Sequence, residues 1–221
     1  MVHLRTKDRR SFSKSMMPNP ILYFQFSIFN LSRASRGISR YNHIMSKYYT
    51  SRGDEGQTDQ LGKSRLSKSH QRIRALGAID EASAALGMAR AQINLPEFHQ
   101  LIKAIQTDLY RIMTQVSLEK ADPQKFPDLE PERLEWLEEK ISNYEKPLEN
   151  PKGFILPGEN LSSAALGLAR TVVRRAERET VALHQEGLLF SRTALPYLNR
   201  LSSLCFVLEL MTAVNPPREE D

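Results

Sequence analysis

The sequence predicts an all-α protein built as a bundle of five helices. Five segments repeat apolar residues at intervals of three and four, which is the period of an amphipathic helix. The connections between them contain proline, glycine and charged residues, and no connecting segment could pair with another as a β-strand. A length of 221 residues with 40% hydrophobic residues fits one domain around a single core.

The limits of these patterns predict where each helix begins and ends. The predicted ranges are about 71–93, 96–120, 134–147, 161–185 and 193–214. Pro96 opens the second helix, and Pro196 lies in the first turn of the fifth, where backbone amides have no partner within the helix. Residues 50–69 are predicted to form a loop, and the segment "GFILPGEN" is predicted to be a turn that leads into the fourth helix.

The first 44 residues form a separate basic segment, which is predicted to be disordered. They hold eight Lys or Arg residues and one acidic residue, so the segment carries +7. It has two interpretations: a mitochondrial transit peptide, or sequence upstream of the true start at Met45. The second is favoured because "MSKYYTSRGDEGQT" looks like an intact amino terminus. It predicts a cytoplasmic protein, whereas the transit-peptide alternative predicts a mitochondrial one.

Charge and composition exclude several classes of protein. The whole chain carries +5, so residues 45–221 carry −2 and offer no basic surplus for a nucleic-acid backbone. The longest strongly apolar run, residues 21–29, is about half the ~20 residues of a membrane-spanning helix, which predicts no transmembrane segment. Cys205 is the single cysteine, so an intramolecular disulfide is impossible.

The predicted fourth helix carries the pattern most suggestive of a binding site. Arg170, Arg174 and Arg178 are spaced at i, i+4 and i+8, which places three positive charges on one ridge. Such a ridge fits a polyanion such as a triphosphate. The alternative is a solvent-facing helix on which Glu177 and Glu179 offset the arginines.

The loop "TSRGDEGQT" has the glycines and hydroxyls that could approach a phosphate, although a generic flexible loop has the same composition. A P-loop is rejected because five residues separate Gly56 from Gly62 where that motif has four.

In the predicted fifth helix, Asn199 either caps the helix or binds a ligand. Cys205 is interpreted as a core residue rather than a nucleophile.

Five motifs, taken in order, resemble the PduO-type ATP:cob(I)alamin adenosyltransferases. They are "TSRGDEGQT", "RLSK", "ALGAIDEASAALGMARA", "FILPGENLSSAALGLARTVVRRAERE" and "LPYLNRLSSLCFVL", and the resemblance extends over about residues 47–214. It implies a homotrimer of five-helix subunits with ATP bound between neighbouring subunits. It also implies transfer of the 5′-deoxyadenosyl group of ATP to Co(I) of a corrinoid, with Mg²⁺ present and triphosphate released.

The resemblance also assigns residues to this site. The implied ATP-binding residues are Thr50, Ser51, Arg52, Gly53, Thr58, Asp59, Lys68, Arg174, Arg175, Glu177, Arg178 and Asn199. Phe154 would occupy the lower face of the corrin, and Asp80 would form an intersubunit salt bridge with Arg174. No side chain is assigned to a metal ion. From the residues alone, "Asp80-Glu81" is either surface charge or a partner for an arginine on another helix or subunit.

The sequence differs from the family motifs at two places, and two other classes of function are possible for it. The family's Thr-Arg/Lys-Thr motif has Arg52 at its third position here, and its glycine-rich "LLGGG" segment is reduced to "QLGKS", so the loop contacts to ATP are the part in question. A non-catalytic corrinoid or nucleotide carrier is one alternative function, and a helical interaction module is the other. The expected protein partners of the enzyme are a corrinoid reductase and an adenosylcobalamin-dependent enzyme.

Overall fold

The computed structural model describes residues 51–149 and 151–214. The prediction for residues 1–44 and the predicted ATP contact of Thr50 lie outside this part of the chain. The described residues form five α-helices, which confirms the predicted fold class. The helices are α1 Gln71–Gln92, α2 Pro96–Val116, α3 Pro131–Glu145, α4 Leu161–Gln185 and α5 Ala194–Val214.

The helices pack side by side in an order that differs from their order in the chain. Helix α1 packs on both α2 and α4, α4 packs on α5, and α5 packs on α3. One continuous core runs through all five helices, and its largest fully buried side chains include Tyr197, Phe98 and Leu137. Within the described ranges, no helix is both long enough and apolar enough to cross a membrane.

Local sequence signals explain where several helices begin. Asn160 caps α4 through a reciprocal pair: its side chain accepts from the Ser163 amide, and the Ser163 hydroxyl accepts from the Asn160 amide. His70 caps α1 by accepting the Arg72 amide at Nδ1, 3.1 Å away. Pro96 and Pro131 open α2 and α3, where a missing amide hydrogen costs no intrahelical bond.

A buried polar cluster joins three helices inside the core. Asp108 of α2 is 4% exposed and accepts two hydrogen bonds from Arg133 Nε and one from Arg133 Nη2, with distances of 2.7–3.1 Å. The Tyr197 hydroxyl of α5 donates to the same carboxylate at 2.7 Å. Burial and the adjacent Asp108 carboxylate raise the pKa of Tyr197 far above its usual value, so its hydroxyl remains a donor. The cluster therefore fixes α2, α3 and α5 relative to one another.

The predicted loop over residues 50–69 is wrong in one respect, because it contains a short antiparallel hairpin. Strands β1 Gln57–Asp59 and β2 Arg65–Ser67 pair with Thr58 opposite Leu66. Each strand has three residues, which is too short to show the alternation of apolar and polar residues that predicts strands.

The end of α2 also differs from the prediction, since the helix stops at Val116 rather than at Lys120. After the helix, Leu118 forms a parallel bridge with Leu61. The Leu61 amide donates to the Ser117 carbonyl at 3.0 Å, and the Glu119 amide donates to the Leu61 carbonyl at 3.0 Å. Backbone pairing with the segment that links β1 to β2 therefore replaces the last helical turn.

Asp108→Ala is expected to lower the free energy of unfolding by about 3 kcal/mol, because Arg133 and the Tyr197 hydroxyl lose a buried partner. Tyr197→Phe removes one hydrogen bond and is expected to cost about 1 kcal/mol. Urea unfolding followed by circular dichroism measures both. Equal losses for the two variants would contradict the central position of Asp108.

Candidate functional site

The buried side of α4 determines where its arginines point. Ala165, Ala169, Val173, Ala176 and Thr180 are buried at intervals of three and four and pack in the core. Side chains between these positions face away from the core, since a helix turns once in 3.6 residues. Arg174, Arg175 and Arg178 are accordingly exposed on the outer side of α4.

Arg170 does not belong to a free ridge with Arg174 and Arg178, which corrects the three-arginine pattern. Its Nε lies 3.3 Å from the Glu209 carboxylate of α5, and its guanidinium lies 5.6 Å from the centre of the Phe206 ring. Glu209 is 3% exposed and needs this partner. A Cβ at Gly167 would lie 2.8 Å from the Glu209 carboxylate, so the missing side chain of Gly167 makes room for the pair.

Arg174 and Arg178 line an open depression on the surface of α4. The depression has a volume of about 290 Å³, and its other lining residues are Glu177 and Val181. Arg178 Nη1 donates to the Arg174 carbonyl at 3.2 Å, which holds one guanidinium across the helix. No side-chain carboxylate within residues 51–149 and 151–214 forms an ion pair with Arg174 or Arg178. Two positive charges are therefore available to an anion here.

A chain of hydrogen bonds leads from α3 through α5 to this depression. Arg200 Nε donates to Glu138 Oε1 at 3.0 Å, and Arg200 Nη1 donates to Asn199 Oδ1 at 2.7 Å. Asn199 Nδ2 in turn donates to Glu177 Oε1 at 2.9 Å. Arginine can only donate and a carboxylate can only accept, so the two neighbours fix the orientation of the Asn199 amide. Asn199 lies in the second turn of α5 and does not cap the helix.

The remaining acids of this region are divided between α1 and α4. Glu81 of α1 forms an ion pair with Arg175, which confirms the interpretation of that acid as a partner for an arginine on another helix. Glu179 accepts from Gln71 at 2.9 Å and from Arg74 at 3.0 Å, and these bonds hold the pKa of its carboxyl below the usual range. Glu177 lines the depression beside Arg174 and Arg178, and Arg178 lowers the pKa of Glu179, so these two acids offset part of the charge of the ridge without forming an ion pair with it. Asp80 is exposed on α1.

The predicted amino-terminal site residues surround the β1–β2 hairpin. Asp59 lies 3.1 Å from Arg65 Nε and 3.5 Å from Arg52 Nη2. Arg65 also donates to the Gln57 carbonyl in β1 at 3.2 Å and to the Arg52 carbonyl at 2.5 Å, and the second bond ties the preceding turn to the strands. The Lys68 ammonium approaches Gly53 so closely that a Cβ there would lie 3.1 Å from Nζ. Thr58 stands in β1, and Ser51 has a left-handed φ of 56°.

The described structure leaves the predicted site in separate parts. No hydrogen bond or ion pair among the described residues joins Thr58, Asp59 or Lys68 to Arg174 or Arg178. Phe154 stands apart from both groups in the connection before α4, and 91% of its surface is exposed. Cys205 is buried, which raises the pKa of its thiol to about 12 and removes it as a nucleophile.

Among the described residues, no group of three His, Cys, Asp or Glu side chains is placed to hold a metal ion.

Arg65, Arg200 and Glu119 have positioning contacts in the structure that were not predicted from the sequence. Arg65 links three parts of the hairpin region, and Arg200 orients Asn199. Glu119 accepts the Lys63 amide at 2.9 Å, across 56 positions of sequence. Arg200 lies in the quoted motif "LPYLNRLSSL", so its position beside Asn199 was a usable signal. No such signal pointed to the contact between Glu119 and Lys63, because it depends on α2 ending at Val116.

Comparison with known proteins identifies the family of this chain. The family model for cobalamin adenosyltransferase matches residues 48–212. The corrinoid adenosyltransferase of Mycobacterium tuberculosis strain H37Rv is 38% identical over 173 residues, which cover 74% of this chain and 87% of that protein. The corrinoid adenosyltransferase of Bacillus subtilis strain 168 is 36% identical over 164 residues, covering 72% and 83%.

Solved structures give the same result. A variant of the PduO-type ATP:corrinoid adenosyltransferase from Lactobacillus reuteri, complexed with cobalamin and ATP, has a TM-score of 0.69 and 33% identity. The match covers 75% of this chain and 93% of that one. A second variant of that enzyme, complexed with ATP, has a TM-score of 0.68 and 32% identity, covering 75% and 94%. The chain belongs to the cobalamin adenosyltransferase family.

Asn199→Asp is expected to weaken binding of inorganic tripolyphosphate about tenfold, because a second carboxylate would stand beside Glu177 and lower the positive potential of the depression. Isothermal titration calorimetry measures the change. Asn143→Asp is a matched control, since Asn143 contacts Glu139 on the exposed side of α3 in the same way. Equal weakening by both variants would locate the anion elsewhere.

Proposed function

We propose that this chain transfers the 5′-deoxyadenosyl group of ATP to Co(I) of a corrinoid. The observation that carries the proposal is the pair of exposed arginines, Arg174 and Arg178, in a chain of this family. Co(I) supplies the electron pair that forms the cobalt–carbon bond at C5′. The bond between C5′ and oxygen breaks, triphosphate leaves with the electron pair of that C5′–O bond, and cobalt becomes formally Co(III).

In this reaction the protein binds and aligns, and it forms no covalent bond itself. Negative charge gathers on the leaving triphosphate, and positioned cations stabilise that charge more in the transition state than in bound ATP. Arg174 and Arg178 supply these cations, and the Asn199–Glu177 contact keeps the carboxylate between them in place. Arg175 adds positive charge nearby while it is paired with Glu81.

The β1–β2 hairpin is proposed to supply the second part of the ATP site. Its candidates are Ser51, Arg52, Gly53, Thr58, Asp59 and Lys68, with Thr50 preceding them. Gly53 lets the Lys68 ammonium approach the backbone, which places a positive charge beside this turn. No hydrogen bond or ion pair among the described residues joins this hairpin to Arg174, and a site completed by neighbouring subunits would bring the two parts to one ATP.

Mg²⁺ is proposed to accompany ATP. Glu177 fits it chemically, because the second oxygen of its carboxylate accepts no hydrogen bond within the described part of the chain and magnesium prefers oxygen ligands. When bound, the ion would neutralise part of the charge of the triphosphate.

Phe154 is proposed to cover the lower face of the corrin. Its ring is 91% exposed, so it is free to meet a flat ligand. In the two Lactobacillus reuteri variants the replaced phenylalanine and the replaced arginine lie twenty positions apart, and Phe154 and Arg174 have the same separation. An apolar ring at this face disfavours water as a cobalt ligand, and cobalt without a lower ligand is easier to reduce to Co(I).

A homotrimer is proposed from an exposed apolar surface on α1 and α4. Met88 is 44% exposed on α1, while Leu161 and Leu168 are 74% and 49% exposed on α4. These helices run side by side, joined by the Ser162–Gln92 hydrogen bond at one end and the Glu81–Arg175 pair further along. Apolar side chains grouped in this way are typical of a surface that another subunit covers.

Arg174→Met is expected to reduce kcat about a hundredfold, because one cation facing the leaving triphosphate is removed. The assay incubates residues 45–221 without oxygen with ATP, Mg²⁺ and chemically reduced cobalamin. Product is read from the visible spectrum and from released triphosphate. Arg192→Met, at an exposed arginine before α5, is the matched control.

The same assay on the wild-type protein decides between the proposed enzyme and a carrier. Light-sensitive adenosylcobalamin with equimolar triphosphate supports the transfer. Binding of ATP and cobalamin without either product would support a non-catalytic carrier and would contradict the proposal.

Asp80→Ala is expected to raise the dissociation constant of the trimer about tenfold and to lower activity with it, if Asp80 pairs with Arg174 of a neighbouring subunit. Analytical ultracentrifugation measures assembly. Glu81→Ala is the matched control, because that acid pairs with Arg175 inside the subunit. Wild-type trimer content in Asp80→Ala would contradict the pairing.

The corrinoid reductase, the adenosylcobalamin-dependent recipient and the cytoplasmic or mitochondrial location stay predictions. The two protein partners have a chemical basis, since an electron must be supplied to form Co(I) and an enzyme must use the adenosylated product. The location depends on the interpretation of residues 1–44.

A further inference from the structure

We propose that Glu119, just after α2, is a positioning residue for ATP that acts through the turn between β1 and β2. The proposal rests on the proposed function, because it assigns the hairpin to the ATP site. No hydrogen bond or ion pair among the described residues joins Glu119 to the arginines of α4. Its hydrogen bonds and close contacts lie at residues 61–64, and its charge also acts on Arg72 at the start of α1. The direct contacts of Glu119 therefore connect it to ATP through the hairpin.

Two backbone hydrogen bonds first bring the hairpin turn to the end of α2. The Leu61 amide donates to the Ser117 carbonyl, and the Leu61 carbonyl accepts from the Glu119 amide, both at 3.0 Å. These bonds fix the register of the turn and place Gly62 and Lys63 directly beside the Glu119 side chain.

The Glu119 carboxylate also bonds directly to the turn. Its Oε2 accepts the Lys63 amide at 2.9 Å. That bond, followed by a hydrogen bond from the Ser64 side chain, holds the pKa of Glu119 below its usual value. The ionised carboxylate is thus the form that accepts hydrogen bonds from the turn. The contact is exposed to solvent, so it is suited to holding a local segment rather than to stabilising the core.

Gly62 is required by this contact. A Cβ at this position would lie 2.1 Å from Glu119 Oε2 and 2.7 Å from Glu119 Cβ, so no larger residue fits without displacing the carboxylate. Gly62 is also the glycine that remains in "QLGKS", where the family has a glycine-rich segment. Close approach of the Glu119 side chain gives a physical reason for a glycine here.

The hairpin depends on such an anchor because it is too small to be stable by itself. Each strand has three residues, and isolated two-stranded hairpins are marginal in water. Thr58 and Asp59 lie on β1, and Lys68 follows β2 directly. Loosening the turn would therefore misplace these three side chains while the helical bundle stays folded.

Glu119→Ala is expected to raise KM for ATP about tenfold, with kcat at saturating ATP and KM for the corrinoid changed less than about twofold. Hydrogen exchange of residues 57–67 is expected to become about tenfold faster, with the helices unchanged. Glu119→Gln keeps one acceptor oxygen and is expected to recover part of both effects. Glu135→Ala, at an exposed acid of α3, is the matched control.

A double variant tests whether Gly62 and Glu119 act together. Gly62→Ala is expected to raise KM for ATP and to speed hairpin exchange in the wild-type background. In the Glu119→Ala background the same change is expected to add little, because the carboxylate that it displaces is gone. Additive effects would contradict the contact.

Hydrogen exchange and kinetics separate this proposal from the proposed function. Unchanged exchange over residues 57–67 in Glu119→Ala would overturn the anchoring role. Faster exchange with unchanged KM for ATP would overturn the link to ATP. Failure of the wild-type protein to transfer the adenosyl group would instead overturn the proposed function, and the exchange result would stand independently of it.

Discussion

The small-residue face of α4 is the constraint on which the site depends. Ala165, Ala169 and Ala176 let this helix lie against α1 and α5, and their burial fixes its rotation about its own axis. With that rotation fixed, Arg174 and Arg178 can only point outward, while Arg170 is directed toward the buried Glu209. A larger residue on this face would therefore affect the site as well as the core, since both depend on the same helix rotation.

Contacts from neighbouring helices then divide the arginines of α4 into three roles. Glu209 neutralises Arg170, and Glu81 pairs with Arg175, so one arginine becomes structural and the other is shared with α1. Arg174 and Arg178 have no such carboxylate among the described residues and remain available to an anion. The same residue type at regular spacing thus gives unlike functions, because its partners come from other helices.

The five helices could be predicted from the sequence because apolar residues recur at intervals of three and four along each of them, and proline marks two of the starts. In α1 and α5 the apolar residues are not confined to one face. The β1–β2 hairpin could not, because three-residue strands carry no usable periodicity. The exposed arginines could be predicted from the sequence, whereas the Arg170–Glu209 pair could not. Its partners lie 39 residues apart on helices whose packing the sequence does not specify. The Glu119 contact was missed for the same reason.

The exposed loop around Phe154 creates a hazard that its flanking residues counter. Phe154, Ile155 and Leu156 are three consecutive apolar residues, and Phe154 and Leu156 are largely exposed, so they could associate with an apolar surface of another copy. Pro151 and Pro157 bracket the run and lack the amide hydrogen that a growing sheet needs, while Lys152 and Glu159 add charge. The segment can thus keep an aromatic ring in water without becoming a nucleus for aggregation.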